Sequence, residues 1–420
     1  MKKIEAYLKA CILIVLISGL CCFAAGAESQ DWPQFRGSGG QGVAENADPP
    51  LHWGPEKNIV WKQTIPDKGW SGPIVYKGSV YITTARTDED HNPRSLRLIR
   101  LDAASGKVLW DREALTWSDT YARHAKNSHA SPTPIAENDR IYVYFGHMGS
   151  ACLDEHGTVL WRQQELTYNS RHGNGGSQVL VDDKLIFICD GMEESFVVAI
   201  HKDTGKIAWK TDQTNANQVA SFSTPCLIEE NGQKQLVCAG SGFVRSYNPD
   251  DGRQIWYLNY GKGYSVISRP VYGLGLVFVL SGFSDQTLYA IRPDGTGDVT
   301  DTHVAWKTKE DVPRTSSILL VDGMLFYVSD TGTATCMDAA TGTVHWQEKI
   351  GGTHSASPVY ADGRIYCTAE DGKVVVLKAG TTFEKLAEND LDELTLASPA
   401  IVDKALFFRT ESHLYRIEEK

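Results

Sequence analysis

Apolar and polar residues alternate along most of the chain in short runs, and pairs such as Asp-Gly, Asn-Asp and Asn-Gly interrupt them. Ser357-Pro358-Val359-Tyr360-Ala361-Asp362-Gly363-Arg364-Ile365-Tyr366 is one example, and Pro134 to Val143 another. A two-residue period broken by such pairs predicts antiparallel strands joined by tight hairpins. Nothing holds a helical period for longer than a turn or two, so the pattern excludes a helical or mixed α/β domain.

A second phrase follows the first. An alternating run leads to an acidic or amide residue, a glycine turn and a tryptophan; Ile99-Arg100-Leu101-Asp102-Ala103-Ala104-Ser105-Gly106-Lys107-Val108-Leu109-Trp110 is the clearest copy, and Cys336 to Trp346 repeats it. The tryptophans are Trp61, Trp110, Trp161, Trp209, Trp256, Trp306 and Trp346, spaced 49, 51, 48, 47, 50 and 40 residues apart. Four strands per repeat of this size match one blade of a β-propeller, the tryptophan on the outermost strand packing against its neighbour. Innermost strands are expected near Gly72-Pro73, Pro134, Ser177, Pro225, Pro270, Ser317, Pro358 and Ser398-Pro399, which gives eight blades. The seventh unit carries Phe383 where tryptophan is expected. The eighth has three strands of its own, and Ile59 to Gln63 is expected to supply its fourth, closing the ring and leaving no free sheet edge between first and last blades.

The phrase Leu-Asp-Ala-x-Ser/Thr-Gly-x-Val-x-Trp resembles the pyrroloquinoline-quinone (PQQ) repeat, and the resemblance runs from Asp31 to Lys420. It implies one of two functions. One branch consists of PQQ- and calcium-dependent dehydrogenases that oxidise alcohols or sugars; the other consists of non-catalytic scaffolds of the barrel-assembly type in the bacterial envelope. Asp31-Trp32-Pro33-Gln34-Phe35-Arg36-Gly37 is similar to the start of both. The dehydrogenase branch implies an adjacent Cys-Cys pair over the quinone, a haem-attaching Cys-x-x-Cys-His in some members and long insertions between blades. Here the single Cys-Cys is Cys21-Cys22 near the N-terminus, no haem motif occurs and the units are short. No catalytic residue carries over, and neither does the scaffold's partner-contact loop. The resemblance therefore favours an exported scaffold that binds a protein or ligand, with no cofactor; PQQ with calcium belongs to the alternative.

Composition adds the compartment. Lys2, Lys3 and Lys9, an apolar run from Ala10 to Leu20 and Ala25-Gly26-Ala27 give residues 1–27 the layout of a secretory signal peptide, leaving 28–420 as one domain. Such a chain is expected in the periplasm or outside the cell, as a monomer with no membrane span after processing. The net charge of −11 becomes −13 without that segment, which speaks against nucleic acid as a partner. Six cysteines remain, and Cys226 and Cys238 flank Asn231-Gly232-Gln233; a three-residue loop there would face them across a hairpin as a possible disulfide.

Candidate chemistry gathers in the segments that enter the innermost strands, which share one mouth of a propeller's channel. They carry Trp70, His124, Asn127, His129, Arg171, His172, Gln218, Tyr264, Arg269, Arg314 and His354. Two explanations compete: a basic, aromatic pocket for a small anionic ligand or acidic peptide, and polar loops that solvate the channel. No pair shows the close His-x-x-His or Glu-x-x-His spacing that a metal site often uses, so no metal is expected. Gly37-Ser38-Gly39-Gly40-Gln41-Gly42 fits a dinucleotide-binding glycine pattern but follows no strand; a flexible entry segment is the expectation.

Overall fold

The protein is described by a computed structural model covering residues 31–213, 221–261 and 263–419. The proposed signal peptide and Gln218 lie outside the described residues. Eight antiparallel sheets form the blades of a propeller with almost no helix. The innermost strands, in chain order, are Ile74–Tyr76, Ile135–Glu137, Val179–Val181, Cys226–Glu230, Val271–Gly273, Leu319–Val321, Val359–Ala361 and Ala400–Val402. The last of these packs beside the first. Ile59–Thr64 pairs with His413–Glu418 in register Trp61 to Arg416 as the fourth strand of the eighth sheet.

The tryptophans explain how the blades lock. Each sits on the fourth strand of its blade, and the indole Nε1–H of six of them donates to a turn carbonyl of the next blade. Trp61 reaches Ala103, Trp110 Glu155, Trp161 Lys202, Trp209 Pro249, Trp306 Ala339 and Trp346 Gly380, all at 2.8 to 3.0 Å. In five of these turns the ring lies against the repeat's glycine. A Cβ on Gly205 would come within 2.6 Å of Trp161, and Gly205 also has φ +69°, so glycine is required twice over. The two most regular parts of the phrase, Gly and Trp, thus meet across blades.

Two blades depart from this rule. Trp256 is fully buried and donates within its own blade to Gln235 Oε1, while Gly297–Asp298 pairs in parallel with Trp256 and Tyr257 as a fifth strand. In the seventh blade the register places Ala387, not Phe383, at the tryptophan position, because Val376 pairs with Ala387 before the same bulge found beside Trp346. Phe383 instead lies edge-on to Trp346 at 5.2 Å. Trp53, from the N-terminal segment, supplies the missing ring: it packs between Tyr366 and Phe408, and its amide donates to Asn389 Oδ1 at 2.9 Å.

The Cys226–Cys238 pairing is corrected by register. Asn231 and Gly232, with φ of +51° and +74°, form a two-residue turn that pairs Glu230 with Gln233. One residue fewer in the loop shifts the register by one and turns every second side chain over. Cys226 therefore faces Val237, Cys238 faces Arg245, and the two thiols lie free on opposite faces in separate cores. The glycine-rich entry segment is also not the flexible linker expected. Its hydrogen bonds run from Val75 and Ala136 in the first two blades to Ile318, Pro358 and Asp403 in the last three. Val43–Ala44 adds a parallel strand to the seventh sheet.

Gly205→Ala is expected to destabilise the protein by about 1–3 kcal/mol through positive φ and the indole clash. Trp161→Phe, which removes one hydrogen bond, should cost about 1 kcal/mol. Urea midpoints of both variants check this. Non-reducing peptide mapping should recover Cys226 and Cys238 in unlinked peptides.

Candidate functional site

A cup of about 620 Å3 opens at the end of the channel where the chain enters the innermost strands, and all eight blades contribute to its wall. That volume is typical of small-molecule sites. Phe35, from the N-terminal segment, forms part of the lining, and Arg36 behind it is buried with its guanidinium on the carbonyls of Gln41, Ile318 and Pro358. Arg269, also buried, donates to the Phe35 carbonyl at 3.2 Å.

The wall carries a girdle of hydroxyls at the starts of the innermost strands. The Gly72 amide donates to Thr133 Oγ1, the Thr133 amide to Ser177 Oγ and the Ser177 amide to Thr224 Oγ1. After a gap at Arg269, whose side chain has no hydroxyl, the relay resumes from its amide to Ser317, then Ser357, then Ser398. All six bonds are 2.9 to 3.0 Å, and all six hydroxyl residues line the cup. This is the chemical content of the Ser or Thr at six of the eight strand starts: its hydroxyl accepts the amide at the preceding blade's strand start.

The rim is aromatic and ionic. Trp70, Phe222, Tyr264 and Phe283 line it, and the Arg314 guanidinium lies 5.5 Å from the Phe283 ring centre. Lys126, in the loop entering the second blade, binds both oxygens of Glu370 in the seventh at 2.9 Å, and Ser355 Oγ donates to the same carboxylate at 2.6 Å. Asp330 accepts from the Arg314 amide at 2.8 Å and the Thr315 hydroxyl at 3.3 Å. The His172 ring is bonded to the Tyr264 hydroxyl; burial, then His124 and Arg171, lower its pKa. Among the described residues, no three His, Cys, Asp or Glu side chains gather in a way that could hold a metal ion.

Of the residues anticipated at the mouth, Trp70, His124, Asn127, His172, Tyr264 and Arg314 line the cup. The others do not. Arg171 is exposed beside it, and Arg269 is buried against the entry segment. His354 is buried between the carbonyls of Thr368 and Gly351, which hold both ring nitrogens. His129 is buried beside a separate cavity of about 410 Å3 lined by Asp90, Tyr121 and Arg123 among others. The expected excess of basic groups is also absent from the lining, where Lys126 and Arg314 are matched by Asp330 and Glu370. Both carboxylates come from turns between the second and third strands of their blades, which the search for entry segments passed over. The hydroxyl girdle was signalled by the recurrent Ser or Thr before the strand-start proline.

Buried histidines set a pH dependence. His129 and His147 both pack near Tyr121, with ring centres 5.9 and 3.7 Å from it, and burial lowers both pKa values to about 4. Unfolded histidine titrates near 6.5, so the unfolded chain binds more protons between about pH 4 and 6.5 and stability falls as pH drops through that window. Asp190, raised to about 6 by burial, acts in the opposite sense, contributing stability that is lost as pH rises through 6. A His129→Gln/His147→Gln protein is therefore expected to lose less thermal stability between pH 6.5 and 4.5 than the parent, as measured by Tm at several pH values.

Comparison with known proteins agrees with the fold. Over 219 residues, half of this chain and 53% of the other, it is 22% identical to outer membrane protein assembly factor BamB of Yersinia pestis. Over 319 residues, 70% of this chain and 44% of the other, it is 25% identical to quinohemoprotein alcohol dehydrogenase ADH IIB of Pseudomonas putida. The match thus spans about half the length of these relatives. The crystal structure of BamB from Moraxella catarrhalis superposes with a TM-score of 0.60 at 12% identity, covering 86% of this chain and 99% of that one. Residues 97–292 and 284–417 match the repeat family described as outer membrane protein assembly factor BamB, and the chain belongs to that family.

Proposed function

We propose that the protein is an exported binding propeller of the cell envelope, which recognises a ligand or partner at its cup and performs no turnover of its own. The observation that carries this reading is the state of the ionisable groups in the lining. Lys126 and Glu370 are bound to each other, Asp330 is held by an amide and a hydroxyl, and His172 is bonded to Tyr264. Each of these groups is held by a partner within the protein, whereas a general base must be positioned against a substrate proton. The family relationship supports a place in the envelope, as does the signal-like layout of residues 1–27. Among the described residues no helix is long and apolar enough to cross a membrane.

The quinone-dehydrogenase alternative rests on the likeness to the Pseudomonas enzyme. Calcium takes six to eight oxygen ligands. The cup offers Asp330 and Glu370, in separate blades and both engaged, so the residues present do not fit a calcium-held quinone.

Dye-linked oxidation separates the two readings. Purified protein with added PQQ and calcium is expected to reduce a dye no faster than a protein-free control over a panel of alcohols and sugars. Reduction that scales with protein and needs calcium would overturn the binding-only reading.

A further inference from the structure

The girdle has an unused half. A hydroxyl offers one O–H and two lone pairs. In Thr133, Ser177, Thr224, Ser317, Ser357 and Ser398 a backbone amide takes one lone pair, and among the described residues none of the six O–H groups donates to a protein acceptor. All but Ser398 belong to residues at most 3% exposed, yet all six border the cup. The fold therefore aims a circle of O–H donors, each with a lone pair to spare, into one cavity.

Three further features narrow what would fill it. The lining's formal charges cancel, so an ion gains no net attraction there. Trp70 and Tyr264 are half-buried and Phe283 is 37% exposed, so aromatic faces stand above the girdle. The volume of about 620 Å3 exceeds what one small solute needs. Polar groups that both donate and accept, together with apolar ring faces and no net charge, are the chemistry of a sugar chain. We infer that the cup binds a short neutral oligosaccharide, its ring faces on the rim aromatics and its hydroxyls on the girdle. This rests on the cup being a recognition site, and it names the ligand class.

The probes are maltotriose, cellotriose and tri-N-acetylchitotriose, with citrate as the anionic comparison, titrated calorimetrically into the purified protein at physiological salt. At least one trisaccharide is expected to bind saturably at one site, and citrate not to bind. Trp70→Ala should weaken the sugar by about tenfold or more. Trp70 is the primary test because its indole makes none of the described hydrogen bonds, so its loss leaves no amide stranded. Ser317→Ala/Ser357→Ala, with folding checked by circular dichroism, should weaken the sugar likewise. Absence of binding by all three sugars at millimolar concentration overturns the proposal, as does sugar binding unchanged in Trp70→Ala, or citrate binding in their place. None of these outcomes touches the dye-reduction result, so failure here is distinguishable from failure of the binding-only reading.

Discussion

A tryptophan of one blade lying on a glycine turn of the next, with its indole N–H on that turn's carbonyl, is the contact on which the rest of the structure depends. A four-stranded sheet alone has two faces to cover and cannot build a core; the indole brings a large apolar surface across the gap, and its hydrogen bond fixes where that surface sits. Glycine permits the approach, since a side chain at Gly106, Gly205, Gly252 or Gly342 would collide with the ring. Repeated around the ring, the contact sets the blade spacing. The two departures are compensated by added chain: Gly297–Asp298 covers the blade of Trp256, and Trp53 fills the space left by Ala387.

The same spacing makes the cup. The hydroxyl relay from Gly72 to Thr224 and from Arg269 to Ser398 works only if each strand start lies within hydrogen-bond reach of the next, a distance the outer tryptophans hold. The entry segment joins distant blades beneath it, with Arg36 and Arg269 buried on backbone carbonyls. A site so built is rigid at its base, and its ionic groups at the rim are satisfied within the protein. That suits recognition better than proton transfer.

Much of this was legible in the sequence because the decisive residues recur. Gly and Trp identify the blade, and Asp-Gly or Asn-Asp turns identify its hairpins. What escaped depended on register or on distance along the chain. Cys226 and Cys238 were misplaced because the Asn231-Gly232 turn has two residues and not three. Phe383 was taken for the seventh tryptophan because the bulge that selects Ala387 leaves no local signature. Trp70, His172, Tyr264 and Arg314 were found through their position before a strand; Asp330 and Glu370 enter the same cup from other turns and meet it only in the folded ring. His129 and His354 share that position in sequence, but their side chains turn into the protein.

The central claim is that one interblade contact, repeated, holds the ring and thereby the cup. Hydrogen exchange of the indole N–H groups, followed by NMR on tryptophan-labelled protein, tests it most directly. The account predicts that the indoles of Trp61, Trp110, Trp161, Trp209, Trp306 and Trp346 exchange slowly and that Gly342→Ala accelerates Trp306 first. Fast exchange of these six in the native protein, or no response of Trp306 to that substitution, would contradict it.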